Sequence, residues 1–323
     1  MLGVQPSFKP SATVLNLIKV LVSITLLYFV FRDINLSTLF SQLAQTSPAA
    51  LTIYLFISIL LVLLASYRWA ILVLDTPTSK DVMQFFKANL SALFYNLFLP
   101  TAYGGDLVKW TQLESLQIGK RTLILSVLAD RIVGVMGLIT VGFFASLFTM
   151  VYNLVPLPPA ISLLFIFLFF GLVVCLIIIF SPLQFRQLPF LSKLGLLQQL
   201  DDYLLTRKLQ FFKMYTLAII IQIISFSSFY LLAIEAKLGI SFLYFLTISP
   251  VIALISVLPV SVAGFGTTEA AYLYFFEQLG ANKGNILVFT SLFGLFKILL
   301  GGIGWITDFM VTSKRIRGSA VKK

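Results

Sequence analysis

The chain has 323 residues, 59% hydrophobic and 11% charged, with a mean hydropathy of +1.01 and a net charge of +11. Soluble domains are about 25% charged, so this composition describes a polytopic membrane protein whose loops leave no room for a catalytic domain. The sequence has no histidine and one cysteine, Cys175; this removes His-based triads, His proton relays and intramolecular disulfides, and leaves no zinc or iron–sulfur ligand set.

A first span is predicted at 14–31, too long for a typical signal-peptide core and without a small-residue cleavage site. The second covers 48–74. The next piece, 82–99, is marginal against the roughly 20 apolar residues of a helical span, since it carries Lys87, Asn89 and Asn96. It runs into a break, Leu99-Pro-Thr-Ala-Tyr-Gly-Gly-Asp106. Beyond it, 106–118 reads as a short amphipathic helix capped by Asp106. The third span is 123–151, and the turn Val155-Pro-Leu-Pro-Pro159 divides the chain. The fourth is 161–180, followed by a polar interfacial stretch, 181–213. The fifth is 214–234. Segment 242–262 is long enough to cross and ends in the second break, Leu258-Pro-Val-Ser-Val-Ala-Gly-Phe-Gly-Thr-Thr-Glu269. A helix over 269–279 leads away, with Thr267 or Thr268 expected to cap it. The sixth span is 286–311, and a basic tail follows. Cys175, inside an apolar run, reads as a small packing residue.

The two breaks organise the chain. Gly264 and Gly266 permit backbone conformations that side chains forbid. Backbone freed at membrane depth survives only where protein buries it or a wet cavity receives it. Pro100 and Pro259 stand about half a chain apart, and paired breaks in corresponding halves point to a transporter-type site.

Basic residues set the topology. With re-entrant broken pieces and the N-terminus inside, 17 of the 23 Lys and Arg fall in cytoplasmic regions. Only Arg32, Lys237 and Lys283 fall outside, a strong positive-inside bias. Full crossings would expose Lys109, Lys120 and Arg121 and fit worse. The expected fold is all-α: one transmembrane domain of six full spans and two re-entrant broken hairpins. Its halves, about 1–155 and 156–323, form an inverted repeat whose hairpin tips meet near the midplane. Both termini are expected on the cytoplasmic side of a bacterial inner membrane. The basic excess then meets anionic lipid, not nucleic acid.

Ionisable residues within spans are expensive and are usually paired or functional. Asp130 and Arg131 lie in the third span, about 12 Å past its cytoplasmic end. Adjacent residues do not share a helix face, so the two are not each other's obvious partner. Arg131 faces the inner hairpin, a lipid phosphate or a structural partner on another helix; Asp130 is a candidate for an ion pair. Lys297, mid-way along the sixth span, faces Glu269 or a substrate anion. Arg68 reads as snorkelling to the interface. Glu269 and Asp106 each satisfy a helix dipole or act on a substrate, and the glycines beside them, Gly104, Gly105, Gly264 and Gly266, leave N–H groups for an anion such as phosphate. Gly294, Gly301, Gly302, Gly304, Gly134 and Gly137 suit close helix packing. The aromatic residues read mainly as lipid contacts and interfacial anchors. No nucleophile, metal set or cofactor motif stands out.

At Pro100-x-x-x-Gly-Gly-Asp106, Ala129-Asp-Arg131 and Gly264-x-Gly-x-x-Glu-Ala270 the chain resembles the flippase-like family named after the lysylphosphatidylglycerol synthase transmembrane domain. Some relatives carry Gly-Glu where this sequence has Gly-Gly-Asp. Larger relatives join such a domain to an aminoacyl-transferring synthase, a domain this sequence lacks. The resemblance implies a translocator of polar-headed lipid or lipid-linked precursor between leaflets, with an envelope-lipid synthase as an expected partner. Glycosyl or lipid-modifying transfer, small-solute transport and a scaffolding role are the alternatives.

Overall fold

The computed structural model describes residues 21, 24–25, 28, 36–98, 105–106, 109, 112–113, 116, 118–152, 158–180, 206–257 and 261–320. Most of the expected span 14–31, with Pro100, Gly104, Pro259 and stretch 181–205, lies outside them. The described residues form nine helices: α1 (Leu36–Ala44), α2 (Pro48–Val73), α3 (Ser79–Phe98), α4 (Lys120–Tyr152), α5 (Pro159–Phe180), α6 (Lys208–Glu235), α7 (Phe242–Val257), α8 (Thr267–Glu277) and α9 (Lys283–Ala320). Helices α2, α4, α5, α6 and α9 are long and apolar enough to cross a membrane. They are the second to sixth predicted spans, so this is an all-α, polytopic membrane protein. Of segment 242–262, residues 258–260 lie outside the described ones. Its described helix α7 has 16 residues, about 24 Å against a hydrocarbon core of about 30 Å.

Local chemistry sets the ends. Pro48 opens α2, where a missing N–H costs nothing. The Ser47 hydroxyl accepts from the Ala50 N–H at 3.4 Å. The Ser47 N–H donates to Glu235 Oε2 at 2.9 Å, fixing the start of α2 to the end of α6. At the opposite ends Arg207 donates to the Leu72 carbonyl and Asp75, at 3.1 and 2.8 Å. The two helices therefore pack antiparallel, tied at both ends.

Small residues allow the closest contacts. A Cβ on Gly137 would meet Ala218 of α6 at 3.0 Å, and the space beside Gly142 is filled by Phe165 of α5. In α9, Gly301 is covered by Leu97 and Gly304 by the backbone of Leu90, both on α3. Gly302 faces open space and takes no part in this packing.

The largest buried cluster joins α7, α8 and α9 to Tyr54 of α2 through Phe245, Tyr272, Phe276 and Phe289. A second joins α2, α4 and α6; a third surrounds Trp69. Many aromatics thus build the core instead of meeting lipid, because edge-to-face rings fill interhelical space densely. Cys175, expected to be a packing residue, is exposed on the outer face of α5.

Candidate functional site

The second break is held by its own polar atoms. Ala263, Gly264 and Gly266 take positive φ, 52°, 78° and 86°, which reverses the chain before α8. A Cβ on Gly264 would be strained by its φ and would meet Thr268 Oγ1 at 3.0 Å. Helix α8 starts at Thr267, earlier than expected, and neither threonine caps it through its side chain. The Glu269 carboxylate reaches back to the Gly266 N–H at 2.6 Å, half of a capping box. Thr267 bonds instead to the Gly264 carbonyl and Ser261, and Thr268 to Ser256 of α7. Glu269 is buried, at 5% exposure.

Lys297 of α9 faces this break. Its ammonium donates to the Ala263 carbonyl at 3.2 Å and lies over the rings of Phe293 and Phe265, 4.4 and 5.4 Å from their centroids. It forms no ion pair with Glu269, whose carboxylate bonds to the Gly266 N–H instead. Both expected partners are present, but each is tied first to the backbone of the break.

The first break is held by charge. Asp106 is buried and accepts from Arg131 of α4 at 2.6 Å and from Lys109 at 3.4 Å. The Gly105 N–H donates to Asn96 Oδ1 at 3.0 Å. Arg131 therefore faces the broken segment, one of the three readings of its sequence position, and 32% of its side chain stays accessible. Its neighbour Asp130 pairs with Arg68 of α2 at 2.8 Å, with the two side chains only 14% and 8% exposed. This corrects the snorkelling expected of Arg68. The guanidinium stays inside because a carboxylate one helix away meets it there, which removes the drive to reach an interface.

Helix α9 packs against the second break and against α3, the helix that leads to the first. Gly294 lies against Phe265, Lys297 against Ala263, and Gly301 against Leu97, two residues before the first break. Spacings of three and four place these residues on one face, and seven residues span about 10 Å. Beside Glu269, a cavity of about 490 Å³ is lined by Leu43, Leu51, Phe265, Gly294, Leu295 and Ile298, with Thr290 and Ser291 adding hydroxyls. Leu295 and Ile298 are also exposed on the outer surface, so the cavity adjoins the face that meets lipid.

The lysylphosphatidylglycerol synthase TM region, as a family profile, matches residues 16–304. The chain belongs to this family. No curated protein matches it. In this family member the match covers both breaks, the Asp130–Arg131 pair and Lys297, so the geometry above lies within the shared region.

Two contacts escaped sequence reasoning. Asn96 counted only as a polar residue weakening a span, yet it satisfies backbone that the break exposes. Asp308, an acid inside the sixth predicted span, was passed over; Tyr95 and Gln112 hydrogen-bond to it. An intramembrane carboxylate is the signal that would have found it.

Proposed function

We propose that this protein moves a lipid with an anionic, phosphate-bearing head between leaflets of a bacterial cytoplasmic membrane. The observation that carries the proposal is that Lys297 of α9 holds the second break next to an apolar cavity, while the same face of α9 packs against α3 just before the first break. Lys297 and Arg131 supply cationic donors for phosphate. The cavity suits an apolar chain more than a small polar solute, because its walls offer few hydrogen-bond partners.

The proposed topology is an inverted repeat of halves 1–155 and 156–323, with one hairpin entering from each side and both termini cytoplasmic. The short α7, the polar α3 and the basic-residue asymmetry support it. Opening one tip while the other closes would give the head alternate access, with the tails remaining in lipid. Anionic lipid would gather at the basic face, and an envelope-lipid synthase would supply the substrate.

The test is leaflet exchange of a fluorescent-headed anionic phospholipid in vesicles containing the purified protein. Wild type is expected to accelerate exchange, and Lys297→Ala and Arg131→Ala to abolish it without altering elution as a folded species. Exchange at the wild-type rate in both folded variants would overturn these site assignments. No exchange by wild type, with product formation from a lipid-linked sugar, would favour transfer chemistry.

A further inference from the structure

Lys297 has a counterpart at the first break. Its own ammonium makes one polar contact, to the Ala263 carbonyl at 3.2 Å, and rests on the rings of Phe293 and Phe265. Lys109 is held in the same way. Its ammonium makes one polar contact, to Asp106 Oδ1 at 3.4 Å, and lies 5.1 Å from the centroid of the Trp69 ring. That ring is fixed. Trp69 is fully buried, its indole N–H donates to Ser126 Oγ at 2.9 Å, and it packs edge-to-face with Phe85. Each break thus carries a lysine backed by an aromatic face.

Neither ammonium is saturated. Each carries several N–H donors, and among the described residues no second acceptor meets either one. Only 15% of the Lys109 side chain is exposed, so water supplies little in their place. Asp106 does not cancel the charge of Lys109, because its other oxygen is held more closely by Arg131, at 2.6 Å. One carboxylate faces two cations. The ring contact steadies the ammonium without using its donors. A partly desolvated cation with spare donors favours an anion rich in acceptor oxygens, and a phosphate group is one.

We infer that Lys109 binds the phosphate of a lipid head, as the first-break counterpart of Lys297. The donors are present and unspent in this structure, so the site needs no rearrangement of its ligands. The two lysines stand at different depths. Trp69, beneath Lys109, lies about one turn before the end of α2 at Val73, near the polar layer where a lipid carries its phosphate. Lys297 stands midway along the spanning part of α9, Lys283–Val311. Lys109 therefore meets the head at the interface, and Lys297 meets it inside the bilayer. That order of use rests on the translocation reading; phosphate binding at Lys109 does not.

The experiment is isothermal titration of the purified full chain in detergent with dihexanoyl phosphatidic acid and, separately, with inorganic phosphate. Each titration is repeated in a Lys297→Ala background, where the other lysine cannot contribute. The expected result is saturable binding of the short-chain lipid, weakened about tenfold or more by Lys109→Gln and regained in Lys109→Arg. Lys80→Gln, at an exposed lysine, is expected to have no effect. Unchanged affinity in folded Lys109→Gln would overturn the site and leave Lys109 as an ion-pair partner of Asp106 alone. Binding of inorganic phosphate without binding of the lipid would overturn the lipid source. Should Lys109→Gln fail to fold, amine acetylation of wild type decides. The lipid is expected to protect Lys109 and not Lys80, and equal modification of Lys109 with and without lipid would overturn the inference. Titration needs no lipid movement, so lipid binding that depends on Lys109 in a protein that exchanges nothing would overturn the translocation reading and leave the site standing. Leaflet exchange by wild type with unchanged affinity in Lys109→Gln would do the reverse.

Discussion

Asp130→Asn removes the charge opposite Arg68 while keeping the shape of the side chain. The two groups meet at 2.8 Å with side chains 8% and 14% exposed, so solvent screening offers little relief. Leaving one member of such a buried pair uncompensated costs about 3–5 kcal/mol. The Asn oxygen still accepts a hydrogen bond from Arg68, which places the cost at the lower end, about 3 kcal/mol, or roughly a hundredfold in the folded ratio. Replacing both residues with apolar ones, Arg68→Met with Asp130→Leu, is expected to recover most of the loss, because two desolvation penalties vanish with the attraction. The assay is unfolding of the detergent-solubilised protein by a graded denaturing detergent, read by helix content for wild type, the single variants and the pair. A near-neutral Asp130→Asn, or a double variant as damaged as the sum of the singles, would refute the view that this pair is buried and mutually compensating.

Other expectations follow from the same contacts. Gly304→Ala places a methyl group against the Leu90 backbone and is expected to cost about 1–3 kcal/mol by overpacking; Gly302→Ala, facing open space, is expected to change stability by less than about 0.5 kcal/mol in the same unfolding assay. Glu269→Gln keeps an acceptor for the Gly266 N–H and is expected to fold as wild type. Glu269→Ala loses that cap, at a cost of about 1 kcal/mol, and equal stability of the two variants would show that the cap contributes nothing. Trp110→Cys on a Cys175→Ser background is expected to react with an impermeant thiol reagent only from the cytoplasmic side, and labelling from outside alone would favour a full crossing of the first broken piece.

Much of the architecture was legible because membrane depth leaves the backbone few choices. The second to sixth predicted spans lie within a few residues of α2, α4, α5, α6 and α9. Glycine located the second break for the same reason. The partners were harder. Arg131 and Asp130 stand next to each other in sequence but point to different helices, and their partners, Asp106 and Arg68, are fixed by the lateral arrangement of α2, α3 and α4. Hydropathy carries no record of that arrangement. Arg68 near a helix end looked like a snorkelling residue because its carboxylate lies on another helix. The capping of α8 was mistaken because a threonine at a helix start is a good cap in isolation, whereas here both hydroxyls are taken by α7 and the break itself.

The central claim is that lipid heads pass the charged groups at the two breaks. The most direct measurement compares leaflet exchange of anionic phospholipid in vesicles carrying wild type, Arg131→Ala or Glu269→Gln. Glu269→Gln is the sharper variant, since its amide oxygen still offers an acceptor to the Gly266 N–H. The account predicts rapid exchange with wild type and exchange no faster than protein-free vesicles with either variant. Rapid exchange by both folded variants would contradict it.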